Sequence, residues 1–262
     1  MAMTDEERRA KFAEEAAKAP SMTQAEFRQR SRRSVLTGGA TMAAGLLGWR
    51  WLHRQEEDNN IPSSLRDVFG VNEALWNGLY RPEALAPTFD RSESSMVRVN
   101  GRHGIREEID LDQWQMNIFN GTEQIGTHVM DDITALPKVE MTVEHKCVEG
   151  WSHIVTWGGV RFSDFAALYA DEINAANHVA LTTPDDEYFV GLEVPSMMHP
   201  QTLLAYELQE EPLDQEHGAP LRLVTPLKYG IKMIKRIGNI SFVQEQPDDF
   251  WLQRGYDYHS GL

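Results

Sequence analysis

Lys146-Cys147-Val148-Glu149-Gly150-Trp151-Ser152 holds the sole cysteine of a 262-residue chain, so its thiol has no disulfide partner within the chain. Packing, nucleophilic attack and soft-metal ligation are the uses left to it, and the last two require the thiolate. Free cysteine is among the most buried residue types, so packing is the plainest reading of a lone one. The surroundings favour chemistry. His145 and Lys146 stand beside the thiol, and Glu149-Gly150-Trp151-Ser152 reads as a tight turn with a polar rim and one aromatic plug. Upstream, Val139-Glu140-Met141-Thr142-Val143-Glu144-His145 alternates apolar and polar, which predicts a strand delivering Cys147 at its end.

Working outward, Met96 to Gly101 reads as a short strand closing on an Asn-Gly turn, and residues 116–121 alternate into a second turn. Residues 109–114 have the look of a helix start, and residues 162–176 form a plausible helix. Strands are expected at 178–182, 221–224 and 237–243. Helix-like spacing runs from Leu65 to Leu79, and Pro82 and Pro87 break the pattern beyond it. Strands and helices do not alternate strictly, so the fold class is α+β with a mixed β-sheet.

The formal charge of −15 is unevenly spread. Residues 1–54 carry 10 basic and 6 acidic side chains, whereas residues 55–262 carry 15 basic and 34 acidic ones. An acidic body excludes nonspecific nucleic-acid binding, which needs a basic face. Inside that body, His217 to Gln244 contains no Asp or Glu, and five basic residues fall between Arg222 and Arg236. Such a window suits an anion, since Arg offers a planar fork and Lys a point charge.

The N-terminal part divides from the body at about residue 54. Residues 4–30, rich in Ala and in charges of both signs, suggest a solvated helix or disordered tail. Ser31-Arg32-Arg33-Ser34-Val35-Leu36-Thr37 then opens an uncharged run to Trp49, a pattern that resembles a twin-arginine export signal. The run ends in bulky residues, and Trp49 and Trp51 stand where an interfacial belt would lie. Retention as a membrane anchor is therefore expected, with the body outside the cytoplasm. Residues 55–64 read as a polar linker.

Four stretches in order carry a resemblance: Cys147-Val148-Glu149-Gly150-Trp151-Ser152, Met198-His199-Pro200-Gln201-Thr202-Leu203-Leu204-Ala205, Gly218-Ala219-Pro220-Leu221-Arg222-Leu223 and Lys228-Tyr229-Gly230-Ile231-Lys232. Together they resemble the molybdopterin-binding domain of the sulfite oxidase superfamily, and within it the Tat-exported, haem-free catalytic subunits of periplasmic methionine sulfoxide reductases. The resemblance implies a sulfite-oxidase-like fold over residues 55–262 and a molybdenum-molybdopterin cofactor with one pyranopterin. It implies that Cys147 is the thiolate on molybdenum and Arg222 the phosphate arginine. Thr183 and the Met233-Ile234-Lys235 segment match cofactor contacts, and His217 stands where the reductases have an asparagine contact. The Asn-rich upstream cofactor loop of the reductases is not reproduced; its place in this sequence is Phe89-Asp90-Arg91-Ser92. Oxygen-atom transfer at a sulfur centre is the implied reaction, on a small sulfur compound or a protein methionine sulfoxide.

With one cysteine and no Cys-x-x-Cys-His site the chain is expected to carry no c-type haem or iron–sulfur cluster of its own. A separate membrane subunit with b-type haem is the expected redox partner. Alternatives are sulfite dehydrogenation, for which Arg91 and Arg161 are the candidate anion donors, and a non-catalytic protein keeping the fold. Zinc or copper on His145 and Cys147, and a cysteine nucleophile paired with His153 or His199, are weaker readings. His199-Pro200 and the Asp185-Asp186-Glu187 cluster are expected to shape turns. Trp251 and Tyr256-Asp257-Tyr258 are candidates to cover the cofactor's edge.

Overall fold

The computed structural model describes residues 4–18, 23–58, 61–79, 84–95 and 97–261. Met96 and Pro82, expected to open a strand and to break a helix, lie outside the described residues. Two compact units result, Met1–Glu56 and Glu57–Leu262.

The first unit holds α1 (Asp5–Lys18) and α2 (Gln24–Leu52). Thr23 caps α2 through a capping box with Glu26, whose carboxylate receives the Thr23 backbone N–H. Thr37 and Thr41 return their hydroxyls to carbonyls one turn earlier, which satisfies both groups within the helix. At 29 residues α2 is long enough for a bilayer. It is not apolar enough: no helix among the described residues is both long and apolar enough to cross a membrane. Gly38, Gly39, Gly45 and Gly48 dilute its hydropathy and Arg50 ends it with a charge.

In the second unit, β1 (Glu57–Asp58) pairs with β2 (Ile61–Pro62), and α3 (Ser63–Leu79) comes next. The remaining strands are β3 (Met116–Asn120), β4 (Glu123–His128), β5 (Lys138–Lys146), β6 (Ser152–Arg161), β7 (His178–Thr182), β8 (Phe189–Glu193), β9 (Leu203–Leu208), β10 (Glu211–Pro212), β11 (Arg222–Val224) and β12 (Asn239–Val243). One five-stranded sheet runs β10-β9-β6-β5, with β11 on β9, and the other runs β4-β3-β12-β7-β8. All pairings are antiparallel except β3 with β12. One antiparallel and one mixed sheet, with short helices among the strands, make the fold α+β, as the alternation pattern predicts.

The larger core packs Ile118, Leu181, Val190, Ile240 and Phe242 of the second sheet against Phe162, Phe165 and Ile173. A smaller cluster gathers Val143, Val155, Trp157, Ala205, Val224 and Met233 on the first sheet. Residues 162–176 are not one helix but α4 (Phe162–Ala166), a 3-10 turn and α5 (Ala170–Ala175), bent so that Phe162, Phe165 and Ile173 all reach the core. Residues 109–114 yield only a 3-10 turn, Leu111–Gln113, capped by Asp110. Residues 97–101 form no strand; they are a loop.

Two buried ion pairs tie the basic window to the body. Lys232 Nζ donates to Asp249 Oδ2 at 2.7 Å and to the Gly191 carbonyl at 3.0 Å, under the Tyr258 ring. Lys228 Nζ donates to Glu193 Oε2 at 3.0 Å and to the His259 carbonyl at 2.8 Å. Each partner offsets the other's desolvation cost only while both are present. Asp249→Ala should therefore cost about 3–5 kcal/mol by leaving an ammonium unpaired in the core. Denaturant unfolding checks this, and the double variant Lys232→Met with Asp249→Leu should recover only part of the loss, because Asp249 also accepts the N–H groups of Gly191, Trp251 and Leu252.

Candidate active site

The β5–β6 hairpin turns at the thiol. Cys147 N–H donates to the Trp151 carbonyl at 2.9 Å and Gly150 N–H returns to the Cys147 carbonyl at 3.0 Å. Gly150 sits at φ +88°, a left-handed conformation that glycine adopts without penalty. The turn holds Cys147 almost buried, with its sulfur on a cavity and 3.8 Å from the Nδ2 of Asn100, which donates to it. Trp151 forms the adjoining wall, its Nε1 on Glu149 Oε2 at 2.9 Å and Arg98 over its face at 5.8 Å.

Arg222, brought by β11 and 3 % exposed, lines the same cavity as the thiol. It donates to the carbonyls of His217 at 2.9 Å and Met233 at 3.2 Å, and it lies 4.7 Å over Trp157. Its Nε has no partner, and no carboxylate pairs with it among the described residues. Burial brings its pKa down to about 10, which leaves it charged at neutral pH. A buried cation without a counter-charge costs several kcal/mol, a cost that an anionic ligand removes. Lys235 adds a second cation, its Nζ on the carbonyls of Asn100 at 2.9 Å and Glu216 at 2.8 Å. Burial, followed by the Arg222 charge, pulls its pKa down to about 7. Burial and Arg222 also push His145 down to about 3, so that imidazole is neutral.

The cavity brings together Cys147, His217, Arg222, Met233 and Lys235 of the expected site. His217 is held by Asp214, which accepts both its N–H and its Nδ1–H. Ile234 lies between two of these residues but points into the core, and only its backbone faces β11. Thr183 does not line the cavity: its hydroxyl donates to Asp185 at 2.6 Å and accepts the Tyr188 N–H at 3.1 Å, closing the Asp185-Asp186-Glu187 turn.

Asp90, Arg91 and Ser92 are also elsewhere. They form an exposed 3-10 turn capped by Asp90, and Arg91 pairs with Glu140 and Glu210. Arg161 pairs with Asp164 at 3.9 Å, so neither arginine reaches the cavity. The upstream loop that does reach it is 97–103, through Arg98, Asn100, Gly101 and His103. Its signal was present in the polar run Arg98-Val99-Asn100-Gly101-Arg102-His103, which reads as a turn when taken alone. Tyr188 was missed as well. Its hydroxyl donates to the Ile231 carbonyl and accepts from Trp251 Nε1 at 2.9 Å, fixing an aromatic wall of the cavity.

Of the basic window, only Arg222 and Lys235 face the cavity; Lys228 and Lys232 are paired in the core, and Arg236 binds Gln215 and the Glu107 carbonyl. His199 accepts the Gln201 N–H and contacts the Ala84 carbonyl, which makes it a turn residue and no partner for the thiol. No group of three His, Cys, Asp or Glu side chains able to hold a metal occurs among the described residues. A soft thiol, two cations short of carboxylates and an aromatic wall together suit an anionic organic ligand carrying a soft-binding metal.

Anion affinity should depend on Lys235, on which Arg222, Arg102, Asp214 and Glu216 also act. Below a pKa of about 7 it is charged, so binding of sulfate to cofactor-free protein should tighten as pH falls from 8 to 6. Titration calorimetry should show up to about tenfold, a change that Lys235→Met abolishes.

Residues 103–251 match the family described as "Oxidoreductase molybdopterin binding domain". A relative from Azospira oryzae, provisionally named protein-methionine-sulfoxide reductase subunit YedZ1, is 28% identical over 235 residues, covering 88% of this chain and 86% of its own. Protein-methionine-sulfoxide reductase catalytic subunits MsrP of Xanthomonas campestris and Campylobacter jejuni are 35% and 34% identical, over 55% and 56% of this chain. The chain spans about half of the length of those two, 49% and 54%. Among solved structures, the sulfane dehydrogenase SoxCD of Paracoccus pantotrophus aligns with a TM-score of 0.46 and 18% identity, over 53% of this chain and 40% of that one. The match takes in more than half of the chain, from His103 through the thiol and Arg222 to Trp251, and the chain accordingly belongs to the oxidoreductase molybdopterin binding domain family of the sulfite oxidase superfamily.

Proposed function

We propose that this protein is the molybdenum subunit of an extracytoplasmic reductase that removes the oxygen atom from a sulfoxide, with protein methionine sulfoxide as the substrate class. One observation carries the reading: a free thiol and a buried arginine without a carboxylate share one cavity. In that cavity Cys147 would hold molybdenum, while Arg222 and Lys235 would take the cofactor's phosphate and His217 and Met233 would border it. When bound, molybdopterin supplies two-electron oxygen-atom exchange. The chain's own residues orient and shield. Trp151, Tyr188 and Trp251 give the cavity an apolar side suited to a thioether, and the Asn100 N–H on the Cys147 sulfur fixes the thiolate's direction.

Reducing a sulfoxide to a sulfide and water consumes two electrons and two protons. The electrons come from outside this chain, in our reading from a membrane subunit with b-type haem. Relatives named as subunits of methionine sulfoxide reductases support an assembly of this kind. Export by the twin-arginine route is part of the same proposal, supported by Arg32-Arg33 ahead of the uncharged, glycine-rich run of α2. That route carries folded cargo, which suits a cofactor inserted before export.

Cys147→Ser should fold normally by circular dichroism and lose methionine sulfoxide reduction with an artificial electron donor by more than about hundredfold, because an alkoxide is a poor soft ligand. Near-normal turnover would remove Cys147 from the metal. For export, Arg32→Lys combined with Arg33→Lys should leave cofactor-loaded protein in the cytoplasm. Cell fractionation checks it, and an unchanged distribution would sink the twin-arginine assignment.

A further inference from the structure

His145 lines the cavity two residues before Cys147, and neither metal ligation nor phosphate binding uses it. His145 is 8 % exposed, and its ring centroid lies 6.1 Å from that of Trp151 and 6.2 Å from that of Trp157. Neither ring nitrogen makes a hydrogen bond among the described residues, and Nδ1 is sealed from solvent. Nε2 is turned toward Gly230, another residue of the cavity wall, so closely that a Cβ there would stand 2.9 Å from it. A side chain at 230 would press on this nitrogen, so glycine lets the cavity wall approach the ring closely.

The two nitrogens of a neutral imidazole are not equivalent: one carries the proton and the other a lone pair. Sealing an N–H without an acceptor is rarer and costlier than leaving a buried acceptor unfilled. The sealed Nδ1 is therefore the lone-pair nitrogen, and the proton sits on Nε2. Packing alone does not account for a polar ring here. Phenylalanine would pack beside the two tryptophans without burying two unpaired nitrogens, whereas histidine needs a partner to offset that cost.

We propose that His145 is a positioning residue for the pterin cofactor, its Nε2–H donating to an oxygen or nitrogen acceptor of the cofactor beside Cys147. This rests on reading the cavity as the molybdopterin site. It adds an uncharged donor to the charged donors Arg222 and Lys235 of the same cavity.

Two measurements on the full-length protein test the assignment. In the wild-type protein, 15N chemical shifts of His145, assigned by the signal missing from His145→Phe, should show the Nε2–H tautomer; an Nδ1–H tautomer overturns the proposal whether or not the variants fold. Cofactor release is then measured by the fluorescence of freed pterin on warming. His145→Phe should release about five- to tenfold faster than wild type at an unchanged melting temperature, the loss expected for one hydrogen bond, and His145→Gln should stay near wild type. Release from His145→Phe at the wild-type rate, or a raised KM for sulfoxide with release unchanged, overturns the role. Purified wild type lacking molybdenum and pterin would instead refute the functional reading on which this rests.

Discussion

A guanidinium without a carboxylate sits at the centre of this molecule. Arg222 is buried by β11 pairing to β9, and its two terminal nitrogens reach the carbonyls of His217 and Met233 on either side. Those carbonyls belong to the loops that carry Lys235 and the 3-10 turn at His217, so one side chain sets the spacing of the whole anion-facing wall. Carbonyl dipoles and the face of Trp157 stabilise the charge only in part. The protein is built to be completed by an anion.

The contrast with its neighbours makes the point physical. Lys232 has Asp249 and Lys228 has Glu193, each pair buried with further hydrogen bonds to carbonyls. Burial brings Lys228 down to about 8 even so, while Glu193 is held well below the usual carboxylate range despite its burial, through His259 and Lys228. These pairs are closed, and they fasten β8 and the C-terminal segment to the window that ends at Arg236. Arg222 and Lys235, in the same stretch of chain, are left open toward the cavity. One basic window thus supplies both the frame and the binding charges, and what separates the two roles is whether a carboxylate lies within reach.

The thiol side is assembled from distant segments. The β5–β6 hairpin brings Cys147 and Trp151, the 97–103 loop brings Asn100, and residues 188 and 251 bring the aromatic wall. Asn100 links the halves, since its amide donates to the Cys147 sulfur while its carbonyl accepts from Lys235. A change in either half is therefore felt by the other through a single loop residue.

Local pattern determined a good part of this. Alternation at 139–145 became β5, and the runs at 116–120, 178–182 and 239–243 became strands that pair edge to edge, because period-two burial is written residue by residue. The lone cysteine after a strand and the acid-free window likewise pointed to Cys147 and Arg222. Tertiary structure decided the rest. It turned Asp90, Arg91 and Ser92 to the surface and chose Asn100 instead, it spent Thr183 on a turn, and it withdrew Lys228 and Lys232 into ion pairs. In α2, length was legible as a possible membrane span, but no membrane-length stretch of it is apolar enough to cross one. The physical reason is common to these cases: a polar side chain's role depends on which partner it meets, and Asp249 lies 17 positions from Lys232 while Asn100 lies 47 from Cys147. Sequence states which groups must find partners, and only the fold brings those partners within hydrogen-bonding distance.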